Sequence, residues 1–327
     1  MMASTRNRSP ADNRFQAQQA EDSLAKNGRT FHWARRFLGP HHGPDAARLY
    51  AFCRLLDDLA DGDLPDGKRR LLQIHRDLIT LSSHTVNSSK ANTATLPYLQ
   101  DKDMAAFASF MIAKNLPAKA FEHLIDGLLF DQGTVALDDE SALILYGYQV
   151  AGTVGLMMCP VLSCFDKQAS NFAIDLGIAM QFTNIARDVL EDAQMGRRYL
   201  PADWVDGLTA AEIAQGAAAS DEAVLTIIRR AIQKLLLLAD TYYQSGFSGL
   251  AYLPKRARIA IAIAGYSYRE IGTQLQANGL NWHKGRTVTS TLTKARVSLG
   301  AIRYLAPQHP PARHQSDLHK ALSGYLT

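Results

Sequence analysis

A row of polar side chains along one apolar helix constrains this chain more than any other feature of its sequence. The stretch ahead of Pro201 carries apolar residues at helical spacing, which predicts a helix with one buried face. On another face, at steps of three, four and four, lie Gln181, Asn184, Asp188 and Asp192. This spacing stacks two amides and two carboxylates in one line. Four residues of helix rise about 6 Å, so both carboxylates can reach one cation or two neighbouring cations.

Basic residues surround this row. Arg187 lies beside it, and Arg197 and Arg198 follow before Pro201 blocks further helix. Carboxylates next to guanidinium groups suit a ligand that is anionic and chelated by metal, since the metal takes the carboxylates and the arginines take the remaining oxygens. A single row of this kind is also typical of a solvated helix face.

The same arrangement occurs a second time. A helix is predicted from Pro44 to Gly62, and one of its faces carries Tyr50, Arg54, Asp57 and Asp61 at steps of four, three and four. Two independent copies favour a ligand site over a solvated face.

Helical periodicity covers most of the remaining chain, and strand patterns are almost absent. Helices are predicted over Lys68 to Ser82, Met104 to Lys114, Ala118 to Phe130, Ser141 to Leu162, Asp221 to Phe247, Pro254 to Gln276 and Arg286 to Leu305. The polar stretch Ser82 to Pro97 predicts a loop. The fold class is therefore all-α, with one domain over residues 26–306, a disordered polar lead-in over 1–25 and a polar C-terminal tail over 307–327.

Composition narrows the function classes. The 35 Lys and Arg nearly balance the 31 Asp and Glu, which predicts no nucleic acid partner, and no dinucleotide fingerprint is present.

Cys53, Cys159 and Cys164 lack a metal spacing and are expected to be buried free thiols, as in a reducing cytoplasm. By sequence pattern no run approaches the ~20 apolar residues that a membrane-spanning helix needs, so we predict a cytoplasmic protein.

Three kinds of site could use paired carboxylates on two helices. A di-iron bundle requires Glu-x-x-His pairs, which neither Asp motif has, and a phosphate-binding glycine loop is missing. The third kind binds magnesium ions together with a substrate diphosphate, and loss of that diphosphate leaves a carbocation. An apolar pocket with aromatic faces would shield such a cation from water. Candidates for the lining are Phe31, Trp33, Tyr50, Tyr146, Phe182 and Tyr268.

These motifs resemble those of the squalene and phytoene synthases, which join two prenyl diphosphates head to head. The matching segments are Tyr50 to Asp61, Tyr146 to Gly155, Gln181 to Pro201, Tyr242-Tyr243, Tyr268 to Ile271 and Arg286. The resemblance extends from Thr30 to Leu299. The paired Asp motifs with the Gly-Arg-x-Tyr-Leu-Pro ending are its most specific part.

The resemblance implies an isoprenoid synthase fold with helices around a central cavity. It implies Mg²⁺, with Mn²⁺ as a substitute and no NADPH, held by Asp57, Asp61, Asn184, Asp188 and Asp192. It implies diphosphate binding by Arg54, Arg187, Tyr268 and Arg286, and places Tyr50, Tyr146 and Gln181 against the reacting chains. The four aspartates, Tyr50 and Arg54 are thus the catalytic candidates, and Phe31 is a further substrate-binding candidate.

Within the family the sequence is most similar to bacterial phytoene synthases, which implies two geranylgeranyl diphosphates as substrates. A squalene or dehydrosqualene synthase that uses farnesyl diphosphate would share every metal ligand. A non-catalytic scaffold with the same fold is the alternative from another class, although it would not need four intact aspartates. The hydrocarbon product favours peripheral contact with the inner membrane, and the sequence leaves the oligomeric state open.

Overall fold

The fold is built from α-helices of very different lengths. The computed structural model describes residues 33–87, 98–286, 290–301, 304, 306 and 313–326. In chain order the helices are α1 Gly39–Ala60, α2 Gly67–Asn87, α3 Lys102–Ala113, α4 Ala118–Phe130, α5 Glu140–Gly147, α6 Thr153–Val161, α7 Lys167–Gln194, α8 Ala210–Ala219, α9 Glu222–Ser248, α10 Lys255–Ala277 and α11 Thr291–Gly300. Within the described part the only β pairing is an isolated bridge between Ala136 and Arg198. The all-α prediction is confirmed.

Two helix boundaries differ from the predicted ones. Helix α1 begins at Gly39, so Pro44 lies inside the helix rather than at its start. Helix α2 continues to Asn87, where the sequence predicted a loop from Ser82 onward. The hydroxyls of Ser82 and Ser83 donate to carbonyl oxygens one turn earlier, at 2.8 and 2.9 Å, so these serines stay within the helix. The rest of the predicted loop, residues 88–97, lies outside the described residues.

The helices enclose two apolar cores. One large core is formed by the four helices α1, α2, α3 and α4 together with α6. The other large core is formed by α5, α7, α8 and α9. Helix α7 is the central element, because α6, α8, α9 and α10 all pack against it. The Asp166 side chain caps its first turn by accepting from the backbone N–H of Gln168 at 2.8 Å.

Glycines allow α6 and α7 to approach closely. A Cβ atom at Gly155 would lie 2.2 Å from the carbonyl oxygen of Ala173, and one at Gly177 would lie 2.4 Å from that of Ala151. Gly155, in the predicted helix from Ser141 to Leu162, therefore serves backbone-to-backbone packing. Between α5 and α6 the chain adopts one turn of π-helix, Tyr148–Gly152.

This region corrects one prediction about membranes. Within the described residues, the helical run Glu140–Val161 is long and apolar enough to cross a bilayer, whereas the sequence pattern predicted no such stretch. A core helix of a soluble protein passes the same test, which rests on length and composition only. The run packs against α4 and α7.

The predicted domain limits can be compared with the described residues near each end of the chain. Residues 1–25 and Phe31 lie outside the described residues. Within the predicted tail, residues 313–326 pack on the core: Leu322 is completely buried, and Tyr325 packs edge-on against His123. The Tyr242 hydroxyl donates to the carbonyl oxygen of Leu318 at 2.7 Å. The limits 1–25, 26–306 and 307–327 remain predictions.

Candidate active site

A cavity of about 610 Å³ lies beside α7. Its wall is formed by one face of α7, parts of α1, α6 and α10, the π-helical turn, and the segment that follows α9. Along α7 the lining begins with Ala169, Phe172, Ala173, Leu176, Gly177 and Met180 and continues with Gln181, Asn184 and Arg187. Along α1 it begins with Ala46 and continues with Tyr50, Cys53, Arg54 and Asp57. Both helices thus change from apolar to polar in the chain direction.

The polar end carries three arginines. Arg54 pairs with Asp58, Arg187 pairs with Asp188, and Arg286 lies 3.1 Å from Asp188. The Nε atom of Arg54 is buried and has no hydrogen-bond partner within the described part of the chain. A buried donor without a partner is costly, and an anionic ligand at this end of the cavity would supply one.

Two further residues, Asp131 and Arg197, interact with the aspartates of both α1 and α7. Arg197 has its Nη1 atom 3.7 Å from Asp61. Burial raises the pKa of Asp192, and the positive charge of Arg197 offsets part of this rise. The charge of Asp131 raises the pKa of both Asp57 and Asp192, after the larger effect of burial. Asp131 and Arg197 therefore lie between the two predicted rows.

Asp131 follows the last residue of α4 and is held by two tyrosines. The hydroxyls of Tyr146 and Tyr199 donate to its two carboxylate oxygens at 2.9 and 2.8 Å. Burial nevertheless raises the pKa of Asp131 to about 6. No helical spacing connects Asp131 with either row in the sequence, so sequence reasoning missed it.

The segment after α7 positions Arg197 and Tyr199. Gly196 adopts a φ of +77°, which ends the helix and turns the chain. The backbone of Arg198 then bonds to Val135 and Leu137, while its guanidinium donates to carbonyl oxygens of Leu137 and Leu200 at 2.8 and 2.6 Å. Arg198 is buried by these contacts, so its role is to hold this segment in place.

The carboxylates fit a hard divalent cation. Burial, opposed by the charge of Arg54 and assisted by the charges of Asp61 and Asp58, raises the pKa of Asp57 to about 7. Burial and the charge of Asp188 raise the pKa of Asp192 to about 7. Such crowded acids need positive charge, and oxygen donors are the ligands that Mg²⁺ prefers. Within the described residues these aspartates form no group of three whose ligand atoms all lie within 4.8 Å of one another. This suits Mg²⁺, which commonly takes one or two carboxylates together with substrate phosphates.

Two phenols and two amides complete the polar end. Burial raises the pKa of Tyr50 to about 12, with Tyr268 contributing, and burial also raises the pKa of Tyr268. Both phenols are therefore neutral and suited to donate hydrogen bonds. The Asn184 amide nitrogen donates to Gln181 Oε1 at 3.2 Å.

The predicted site residues fall into three groups. Those that line the cavity are Tyr50, Arg54, Asp57, Gln181, Asn184, Arg187, Tyr268 and Arg286. Asp61, Asp188 and Asp192 lie beyond the lining but within the charged cluster. Tyr146 is buried against Asp131, and Phe182 is completely buried beside Gly147, so neither is part of the lining. Trp33 donates to Ser298 at 2.9 Å and is likewise outside it.

The raised pKa values predict how pH affects the metal-free protein. Asp57 and Asp192 bind protons more tightly in the folded state, so the free energy of unfolding should fall as pH rises from 3.8 toward about 7. Mg²⁺ with inorganic diphosphate should restore stability, most strongly at about pH 8, where both acids are ionised. Thermal unfolding across this range measures the effect.

The double variant Asp57→Asn with Asp192→Asn isolates these acids from all other titrating groups. It should show a flatter pH profile and a smaller gain from Mg²⁺. Identical profiles for the variant and the native protein would contradict the assignment.

A helical fold that encloses an apolar cavity, with acidic and basic groups gathered at one end, defines an isoprenoid synthase. A sequence model described as "Squalene/phytoene synthase" matches residues 24–296. A 15-cis-phytoene synthase of Pantoea ananas is 33% identical over 299 residues, which is 89% of this chain and 94% of the relative. A 15-cis-phytoene synthase of a Paracoccus species is 33% identical over 84% of this chain and 86% of its own.

Solved structures agree on the fold. A dehydrosqualene synthase in complex with ligand superposes with a TM-score of 0.71 at 25% identity, over 90% of this chain and 98% of its own. A squalene synthase of Alicyclobacillus acidocaldarius superposes with a TM-score of 0.68 at 22% identity, over 84% and 97%. The chain belongs to the squalene/phytoene synthase family and is an enzyme of the prenyltransferase type.

Proposed function

We propose that this protein is a phytoene synthase of carotenoid biosynthesis. It would join two geranylgeranyl diphosphates head to head through prephytoene diphosphate, giving phytoene, two diphosphates and two protons. The observation that carries this proposal is the polarity of the cavity, which has Asp57 and three of its arginines at one end and mostly apolar walls elsewhere, with Arg35 near Gly43 as the exception. Two substrates that share such a cavity must place both diphosphates at the same end, with their tails side by side. This orientation brings the two reacting C1 atoms near each other.

The polar end would bind the diphosphates. Arg54, Arg187 and Arg286 supply guanidinium groups, and the neutral phenol of Tyr268 donates a hydrogen bond. Asp57, Asp61, Asp188 and Asp192, with Asn184, are the proposed ligands of Mg²⁺ or Mn²⁺. When bound, the metal supplies positive charge that stabilises the leaving diphosphate. We place Tyr146 as a support for Asp131.

The apolar part of the cavity would enclose the carbocations during bond formation and rearrangement. The first substrate loses diphosphate and its allylic cation adds to a double bond of the second. Loss of a proton then closes a cyclopropane that retains the second diphosphate. Loss of that diphosphate, rearrangement and loss of a proton give the hydrocarbon. Phe172, Leu176 and Met180 keep water away from the cations, and Tyr50 and Gln181 lie where the polar and apolar parts meet. No reductant takes part.

The alternative is a squalene or dehydrosqualene synthase with farnesyl diphosphate as substrate. It is favoured by the superposition on a solved dehydrosqualene synthase, whereas the phytoene synthases match at higher identity. Purified protein with Mg²⁺ and no nicotinamide should convert geranylgeranyl diphosphate to a C40 hydrocarbon. Formation of a C30 product from farnesyl diphosphate, with no C40 product, would contradict the proposal. A chain that turns over neither diphosphate would support the scaffold alternative.

We also propose a cytoplasmic protein in peripheral contact with the inner membrane, because a C40 hydrocarbon cannot cross water to reach another enzyme. Liposome flotation measures such contact. The protein should float with vesicles of low density, and recovery only from the dense fraction would contradict this proposal.

A further inference from the structure

A second cluster of ligand-type side chains lies away from the polar end of the cavity. The side chain of Asp175 in α7 has no exposed surface and meets two histidines of the C-terminal segment. The Nε2 atom of His314 lies 2.8 Å from one carboxylate oxygen, and that of His319 lies 2.7 Å from the other. The Ser245 hydroxyl donates to the same carboxylate. The proposed reaction uses none of these groups.

The cluster is compact and enclosed. One ligand atom from each of Asp175, His314 and His319 lies within 4.8 Å of the other two, the only such set of three within the described residues. The two imidazole side chains are only 8% and 10% exposed, and their ring centroids are 4.4 Å apart. The ring of Phe172 packs edge-on against His314. Two imidazoles and one carboxylate that are gathered in a buried cluster are a donor set that can hold a metal ion.

The donor set selects the kind of metal. Two imidazole nitrogens and one carboxylate oxygen suit Zn²⁺, whereas Mg²⁺ and Ca²⁺ prefer oxygen ligands throughout. Tetrahedral Zn²⁺ with bonds of about 2.0 Å separates its ligand atoms by roughly 3.3 Å. Each imidazole nitrogen contacts a different oxygen of Asp175, at 2.8 and 2.7 Å, so zinc bound to both nitrogens and this carboxylate requires each imidazole to move by at least about half an ångström, a small change for side chains.

We propose that Asp175, His314 and His319 form a structural zinc site, with the Ser245 hydroxyl beside the fourth position, that fastens the C-terminal segment to α7. This proposal does not depend on the proposed reaction. Leu322 and the bond from Tyr242 to Leu318 already seat the segment on the core. Zinc would link that segment to the same helix that carries Asp188 and Asp192 further along.

Metal content and stability test the site in the untagged full chain, with an excess of Mg²⁺ to occupy the acidic site. We expect the native protein to retain stoichiometric zinc after dialysis. After removal of zinc with a chelator, Co²⁺ should produce the strong visible absorption of a tetrahedral complex. Re-addition of zinc should raise the thermal midpoint by several degrees.

Variants separate a metal site from a purely hydrogen-bonded cluster. His314→Gln and His319→Gln keep an N–H that can donate to Asp175, so they preserve a hydrogen-bonded contact but lose the metal. Each should lose the zinc, the Co²⁺ absorption and the zinc-dependent rise in midpoint. His41→Gln, at an exposed position of α1, and Asp188→Asn, in the acidic site, should retain all three.

Native protein that holds no zinc after dialysis, and shows no tetrahedral Co²⁺ spectrum, would overturn the proposal. That result needs no variant to fold. It would leave the head-to-head activity untouched, so failure of the zinc site and failure of the proposed function are distinguishable.

Discussion

Replacement of Asp57 or Asp192 by asparagine should lower turnover by at least about a hundredfold and yet raise the thermal midpoint of the metal-free protein. Activity falls because a ligand that offsets the charge of diphosphate is lost. Stability rises because the pKa of each carboxyl is raised to about 7, which means that the folded state disfavours its ionised form. Asparagine keeps the shape and removes the charge. Steady-state kinetics with Mg²⁺, and thermal unfolding in chelator at about pH 8, measure both effects.

Opposite signs for activity and stability distinguish this role from a structural one. Asp126→Asn, at an exposed position of α4, is the matched control and should change neither quantity. Near-native turnover in both Asp57→Asn and Asp192→Asn would contradict the assigned site. A lowered midpoint in chelator would show that these carboxylates stabilise the fold.

Alanine at Gly155 or Gly177 should destabilise the protein by about 1 to 3 kcal/mol. Alanine is the better helix former by about 1 kcal/mol, which on its own would stabilise α6 or α7. Here the new methyl group would meet a backbone carbonyl oxygen at 2.2 or 2.4 Å, and a backbone atom in a packed helix cannot rotate away. The steric cost should therefore exceed the gain in helix propensity. Urea unfolding measures the difference in the free energy of unfolding.

Gly300→Ala provides the control, because a Cβ atom there meets nothing within 4 Å and the residue lies in helix α11. It should leave stability unchanged or slightly increased. Equal unfolding free energies for Gly155→Ala and the native protein would mean that α6 and α7 separate without cost.

The two acidic rows were predictable because helical period alone decides which residues share a face. Asp57 with Asp61, and Asp188 with Asp192, are such local pairs. The all-α class followed from the same periodicity, which extends over most of the chain. The family motifs added the expectation that the rows approach each other, and the structure connects them through Asp131 and Arg197.

The remaining features depend on contacts between distant segments. Asp131 has no partner at helical spacing, and its position depends on Tyr146, fifteen residues away, and Tyr199, sixty-eight residues away. Ser82 and Ser83 favour loops by composition, but their hydroxyls bond within α2. The contacts of His314 and His319 with Asp175 join residues 139 and 144 positions apart, so the burial of these histidines could not be anticipated from local sequence.

The one-sided polarity of the cavity has a consequence for the end of the catalytic cycle. The arginines and aspartates that attract the incoming molecules act only on their phosphate groups, and the finished hydrocarbon has none. The hydrophobic effect holds this product in the cavity, and its strength grows with the length of the chain. Release of the product therefore requires an apolar phase outside the protein, such as a lipid leaflet or a detergent micelle. The amount of that phase should determine the rate of product release.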